Sequence, residues 1–244
     1  MSSFVKQVLA AAALVAGVSA QASNVAIVTG GFYTPDLNTQ LTAQGHTVTE
    51  ISSYDATSLA AFDSVVHYGN SFTDTAALET FVTNGGRLVL TPWAGRNFTV
   101  PSTLAIFTED LNSPDFSVAY PGVTVSLPAD PLLAGVTFPA GAGGFNIGRI
   151  NGISFAGGAT QIASWSDGVA LLGYKTLGTG SVVGLNMHVI TSDTAYQVIN
   201  QPWAATLASN AVTVSAVPEP ETYALALAGL CVAGVVARRR NVVA

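Results

Sequence analysis

Histidine is the side chain best suited to moving a proton near neutral pH, and this chain has three: His46, His67 and His188. His188 follows an apolar run over 180–186, so it should stand at the end of a strand. With a hydroxyl or carboxyl from Ser71, Thr91 or Asp193 it could form a hydrolytic site, because a nucleophile needs a base within hydrogen-bond reach. The plainer reading makes those three residues loop polar groups and caps. Gly30 and Gly31 could let a ligand approach the backbone, or simply make a tight turn. Phe32, Tyr33, Trp93 and Trp165 could stack on a sugar ring or pack internally. The ligand candidates are therefore Gly30, Gly31, Tyr33 and Trp93. Glu109, Asp110 and Asp115 are scattered relative to the histidines, so no metal is expected, and no cofactor either. Cys231, the single cysteine, lies in an apolar tail. The remainder of the chain has neither a thiol nucleophile nor a disulfide.

The elements that must position these residues follow from local patterning. Strands are expected at 25–29, 46–51, 63–67 and 87–90. A helix capped by Thr34 with Pro35 at its first position alternates with them, as do a short helical piece at 59–62 and a helix capped by Asp74 and stopped by Gly85-Gly86. Strand and helix in alternation at these lengths mean βαβ units and a parallel sheet. Ligands of such sheets bind beyond the carboxyl ends of the strands, here 30–33, 69–72 and 91–97. The stretch 101–158 is rich in Gly and Pro, with one strand expected at 123–127. The runs 160–165, 169–174 and 181–186, separated by Asp167-Gly168 and Gly178-Thr179-Gly180, read as antiparallel hairpins. The span 191–211 should be mostly helical, interrupted at Pro202.

The chain has 244 residues, 49% hydrophobic and 9% charged. Residues 1–22 read as a signal peptide: Lys6, an apolar run over 8–18, then small-residue cleavage sites. Setting both ends aside leaves roughly 195 residues, enough for one domain with a sizeable core. In that body Arg87, Arg96, Arg149 and Lys175 face twelve acids, a formal net charge of −8. A nucleic-acid binder needs a basic stripe, so that partner class is excluded.

The tail has three parts in fixed order. Pro218-Glu219-Pro220 is stiff and acidic, 223–237 carries no charge, and Arg238-Arg239-Arg240 closes the run. As a helix the uncharged run spans roughly 22 Å, somewhat short of a hydrocarbon core of about 30 Å. Flanking residues and local thinning cover that deficit. The arginines should stay cytoplasmic, leaving the body outside. This order resembles the PEP-CTERM sorting signal. The resemblance implies export by a bacterium with an outer membrane and processing by an exosortase-type enzyme at the inner membrane. It also implies a setting of exopolysaccharide or biofilm matrix.

The body resembles the class I glutamine amidotransferase-like fold, a flavodoxin-like relative. In that family a helix ending in Gly-Gly leads through a strand to an elbow bearing a cysteine nucleophile. The matching stretch here is LETFVTNGGRLVLTPWAG, and its elbow, Pro92-Trp93-Ala94-Gly95, has no cysteine. Asp130-Pro131-Leu132-Leu133-Ala134-Gly135-Val136 resembles a phrase of divergent relatives. GSVVGLNMH places His188 where the family's catalytic histidine stands, but Val189 and Ile190 replace the Pro-Glu that follows it. Amidotransferase activity is therefore not expected.

The expected fold is a three-layer α/β domain. Its mostly parallel sheet of about five or six strands has helices on both faces and is extended by antiparallel hairpins. The domain spans 23–214, between the leader 1–22 and a sorting signal at 215–244. The expected function is that of an exported, non-enzymatic surface or matrix protein with a carbohydrate or protein ligand. The alternative is an extracellular hydrolase using His188 with a serine or an acid.

Overall fold

The computed structural model describes residues 22–29, 35–68, 74–92, 100–108, 118–189 and 197–213. Ala22–Ser215 form one compact unit. The leader 1–21, the cap Thr34 and the whole tail lie outside the described residues.

The first half alternates as its sequence dictates. β1 (Asn24–Val28), α1 (Pro35–Ala43), β2 (Thr47–Ile51), α2 (Ala56–Leu59), β3 (Ser64–His67), α3 (Thr75–Thr83) and β4 (Arg87–Leu90) follow in order. The short helix α2 begins three residues earlier than patterning alone places it. Asp55 and Ser58 form a reciprocal capping box there, which fixes the start. Asp74 caps α3 by accepting the Ala77 N–H at 2.9 Å. Gly85, at φ +108°, turns the chain out of α3 in a conformation that favours glycine.

The second half supplies β5 (Val118–Ala119), β6 (Val123–Val125), β7 (Asn146–Ile147), β8 (Thr160–Trp165), β9 (Ala170–Leu177), β10 (Gly180–Leu185) and α4 (Pro202–Thr213). A 3-10 helix at Gln197–Asn200 precedes α4, and Pro202 stands at the first position of α4, so the helical span is broken there as its sequence suggests; 191–196 lie outside the described residues. The small antiparallel sheet β5-β7 arises inside the Gly- and Pro-rich stretch, where the sequence suggests only β6.

The main sheet has eight strands in the order β2-β1-β3-β4-β10-β9-β8-β6. Five run parallel, from β2 to β10, and β9, β8 and β6 continue antiparallel. Alternation along the strands gives the sheet two apolar faces. Val25, Ile27, Val66, Val89 and Val183 pack with Leu37 and Leu41 of α1 and Trp203 and Leu207 of α4. Ala26, Val28, Val65, Leu88 and Val182 pack with Leu59 of α2 and Leu78, Phe81 and Val82 of α3. Helices therefore cover both faces. Gly180 opens β10 because nothing larger fits. A Cβ there would lie 2.1 Å from the Val82 carbonyl oxygen and 2.3 Å from that of Gly86.

Candidate functional site

The carboxyl ends of β3, β4 and β10 are adjacent in the sheet, and the chemistry-bearing residues gather there. The switch in strand order falls between β1 and β3, next to them. β3 ends at His67, and the next residue, Tyr68, points to the opposite face, as neighbours on a strand must. His188 lies three residues beyond β10. Its Nε2 is 2.8 Å from the Tyr68 hydroxyl, and the rings meet edge to face with centroids 5.6 Å apart. Both are almost completely buried, at 5% and 3% exposure. The His188 backbone N–H donates to the Gly148 carbonyl at 2.7 Å, so the loop after β7 forms one wall of the site.

His67 belongs to the other face. It packs edge to face against Tyr54, with Nε2 3.3 Å from that hydroxyl. Burial in the apolar layer pushes its pKa down to about 3, so it is neutral at physiological pH. Thr91, a candidate hydroxyl, directs Oγ1 to the His67 carbonyl at 3.3 Å and is buried. It ties β4 to β3. His46 is also structural. Its Nδ1 accepts the Ser23 N–H at 3.2 Å, so Nε2 carries the proton and donates to Ser209 Oγ at 2.9 Å.

Trp165 is not a sugar platform. It is fully buried, lies edge-on to Tyr120, and donates its indole N–H to the Asn186 carbonyl at 3.2 Å. Gly30, Gly31, Phe32, Tyr33, Ser71, Trp93, Glu109, Asp110, Asp115 and Asp193 lie outside the described residues. Among the described residues no three His, Cys, Asp or Glu side chains gather as metal ligands.

Three residues that sequence reasoning did not single out shape the site. Tyr68 is the first. Asn186, wholly buried, donates to the carbonyls of Ile150 and Ala170, both at 2.8 Å, and accepts the Ile150 N–H at 2.9 Å. It fastens the loop carrying Gly148 to the end of β10. Arg149, 4% exposed, forms a two-pronged ion pair with Asp167, its Nη1 at 2.9 Å from Oδ1 and its Nη2 on Oδ2. Its guanidinium lies 5.7 Å from the centre of the Trp165 ring. The Arg149 bond holds the Asp167 carboxyl below the usual carboxylate range. The one available signal was that Arg149 is among only four bases in the body.

A cavity of about 50 Å³ lies beside the end of β4, lined by Leu90, Thr91, Val100, Ile106, Phe107 and Ile150. It is predominantly apolar and suits a small apolar group. The Tyr68–His188 contact can pass a proton between phenol and imidazole. Thr91 and Thr108 bring hydroxyls to the cavity lining, and both are directed to main-chain carbonyls, of His67 and Ser154.

No curated protein matches the chain. Solved structures share its fold at low identity. A cytoplasmic protein from Salmonella typhimurium is 14% identical with a TM-score of 0.54, over 72% of this chain and 84% of that one. A putative ThuA-like protein from Parabacteroides merdae is 10% identical with a TM-score of 0.53, over 82% and 94%. PurLQS from Thermotoga maritima is 10% identical with a TM-score of 0.51, over 79% and 98%. The ThuA-like proteins have the glutamine amidotransferase-like fold, consistent with this body. Among the described residues no helix is long and apolar enough to cross a membrane, and 223–237 are not among them. Residues 216–240 match the PEP-CTERM protein-sorting motif, which supports export of the chain and its processing at the membrane by exosortase, a membrane enzyme.

Proposed function

We propose that the chain is a non-enzymatic surface or matrix protein. Its α/β body is carried outside by a cleaved leader (1–22) and held by the segment 223–237 with Arg238, Arg239 and Arg240 as a cytoplasmic stop. Exosortase then releases it at the signal around Pro218, Glu219 and Pro220. The ligand of the body is a carbohydrate of the exopolysaccharide or a protein. The observation that carries the non-enzymatic reading is the pairing of His188 with Tyr68, both almost completely buried, in a body whose sequence has no thiol. Acyl transfer of the amidotransferase kind needs a thiolate and a base together.

A second reading is kept because His188 stands at the carboxyl ends of the strands, where catalytic groups of such sheets sit. There the body is an extracellular hydrolase using His188 with Ser71 or Asp193. Screening glycosides and esters with wild type and His188→Ala separates the two. The first reading expects no turnover from either protein, and glycan-array binding that survives the substitution. Turnover by wild type, lost in His188→Ala, would establish the hydrolase instead.

A further inference from the structure

We propose that a second copy of this chain docks on the open edge of the sheet, by antiparallel pairing of β6 with β6 of the other copy about a two-fold axis at Thr124. β6 is the last strand of the eight, and among the described residues its strand neighbour is β8 alone. Its ladder to β8 fixes which backbone groups remain for a partner. Ser166 donates to the Gly122 carbonyl at 3.0 Å, and Ser126 donates to the Ile162 carbonyl at 2.8 Å. Residues 122, 124 and 126 therefore turn their main chain toward β8. By the alternation of an antiparallel ladder, Val123 and Val125 turn theirs to the open edge.

The side chains of this edge are unusual. Val125 and Leu127, at 36% and 40% exposure, are the large hydrophobics left exposed among the described residues. They extend the face that Val123 presents to the core. Beside them runs a groove of about 570 Å³, lined by Val123, Val125, Val136, Phe138 and Pro139 among others. Sheet edges are ordinarily protected by lysine, proline or an inward charge. Residues 122–127, Gly-Val-Thr-Val-Ser-Leu, have none of these, and Pro121 and Pro128 only bracket them.

The strand is its own complement, which identifies the occupant. A two-fold axis at Thr124 sets Val123 of each copy opposite Val125 of the other. The outward N–H and C=O groups of both residues are then satisfied by main-chain hydrogen bonds across the axis. Valine faces valine, and Leu127 of each copy comes beside Pro121 at the mouth of the other's groove. No charge meets a like charge, because residues 118–129 carry none. Closed two-fold pairing of this kind is the commonest form of self-association.

Cross-linking of the full chain in its membrane tests the register. In a Cys231→Ser background, Thr124→Cys places two thiols across the axis at a Cα separation of about 4.5 Å, inside the disulfide range of about 4.4 to 6.8 Å. Thr57→Cys, on the exposed face of α2, is the control. Mild oxidation should give several-fold more covalent dimer from Thr124→Cys than from Thr57→Cys. Adding Val125→Lys should abolish the excess, and Leu127→Glu should do so independently. Equal yields from the two cysteines, a cross-link to a different protein, or a yield indifferent to both charged substitutions would overturn the proposal.

Discussion

Asn186→Ala should destabilise the body by about 3 to 5 kcal/mol, measured as a fall in the urea midpoint of the Ala22–Ser215 unit with Trp165 and Trp203 as fluorescent reporters. The side chain is buried and makes three hydrogen bonds, all to main chain: one from the Ile150 N–H and two to the carbonyls of Ile150 and Ala170. Truncation leaves all three partners buried and unpaired, and each such group costs about 1 to 3 kcal/mol. A volume-matched Asn186→Leu should do no better, because the loss lies in the orphaned partners and not in the cavity. Asn186→Asp is a sharper probe. A carboxylate can keep the Ile150 N–H but cannot donate to either carbonyl, so it should lose nearly as much at neutral pH. A loss below about 1 kcal/mol in all three variants would mean that water or a shifted loop satisfies those groups.

The consequence reaches the site. The loop that Asn186 fastens also carries Gly148, whose carbonyl receives the His188 N–H. Asn186 is thus a positioning residue for the Tyr68–His188 pair, acting through the main chain of that loop.

How much of this could be read from the chain depends on the range of each signal. The helix α3 was legible because Asp74, the apolar positions Leu78, Phe81 and Val82, and Gly85 all act within a few residues of one another. The parallel half of the sheet was legible for the same reason, since strand and helix alternate locally. β8 and β9 were visible as members of hairpins and β6 as a single strand, but not their place beyond β10 at the sheet's far end. β5 and β7 pair residues almost thirty positions apart through strands of two residues each, too short for any periodicity. The site divides in the same way. His188 was conspicuous as a histidine after an apolar run. Tyr68 was not, because its partner is 120 residues away and only the β3-β4-β10 order brings the two together. Thr91 and Trp165 look like functional groups in sequence and prove to be fasteners, their polar atoms engaged with main chain.

The second large effect is a loss of stability in acid that begins well above the carboxylate range. In the folded protein, burial holds His67 down to about 3 and lowers His46 in the same direction. An unfolded histidine titrates near 6.5. The unfolded chain therefore binds these protons first, so their stability contribution is whole above about pH 6.5 and is lost as the pH falls. His67 alone gives a slope of about 1.4 kcal/mol per pH unit down to about pH 3, an upper bound near 5 kcal/mol. His46 steepens the first part of that window. Its geometry reinforces the burial effect, since protonating Nδ1 would set an N–H against the Ser23 N–H that now donates to it. Asp167 works in the same direction but later. Its carboxyl is held low by Arg149, so its contribution is lost only as the pH drops below the ordinary carboxylate value near 4. Urea midpoints at pH 7, 5.5 and 4.5 therefore report chiefly the histidines, while burial raises the Asp130 carboxyl and works in the opposite direction toward the acid end. His67→Gln, which retains a hydrogen-bonding group toward Tyr54 but cannot titrate, should be less stable than wild type at pH 7 and lose much less between pH 7 and 4.5. Parallel profiles for the two proteins would show that His67 accepts its proton inside the fold, and that the apolar layer around it is wetter than its burial implies.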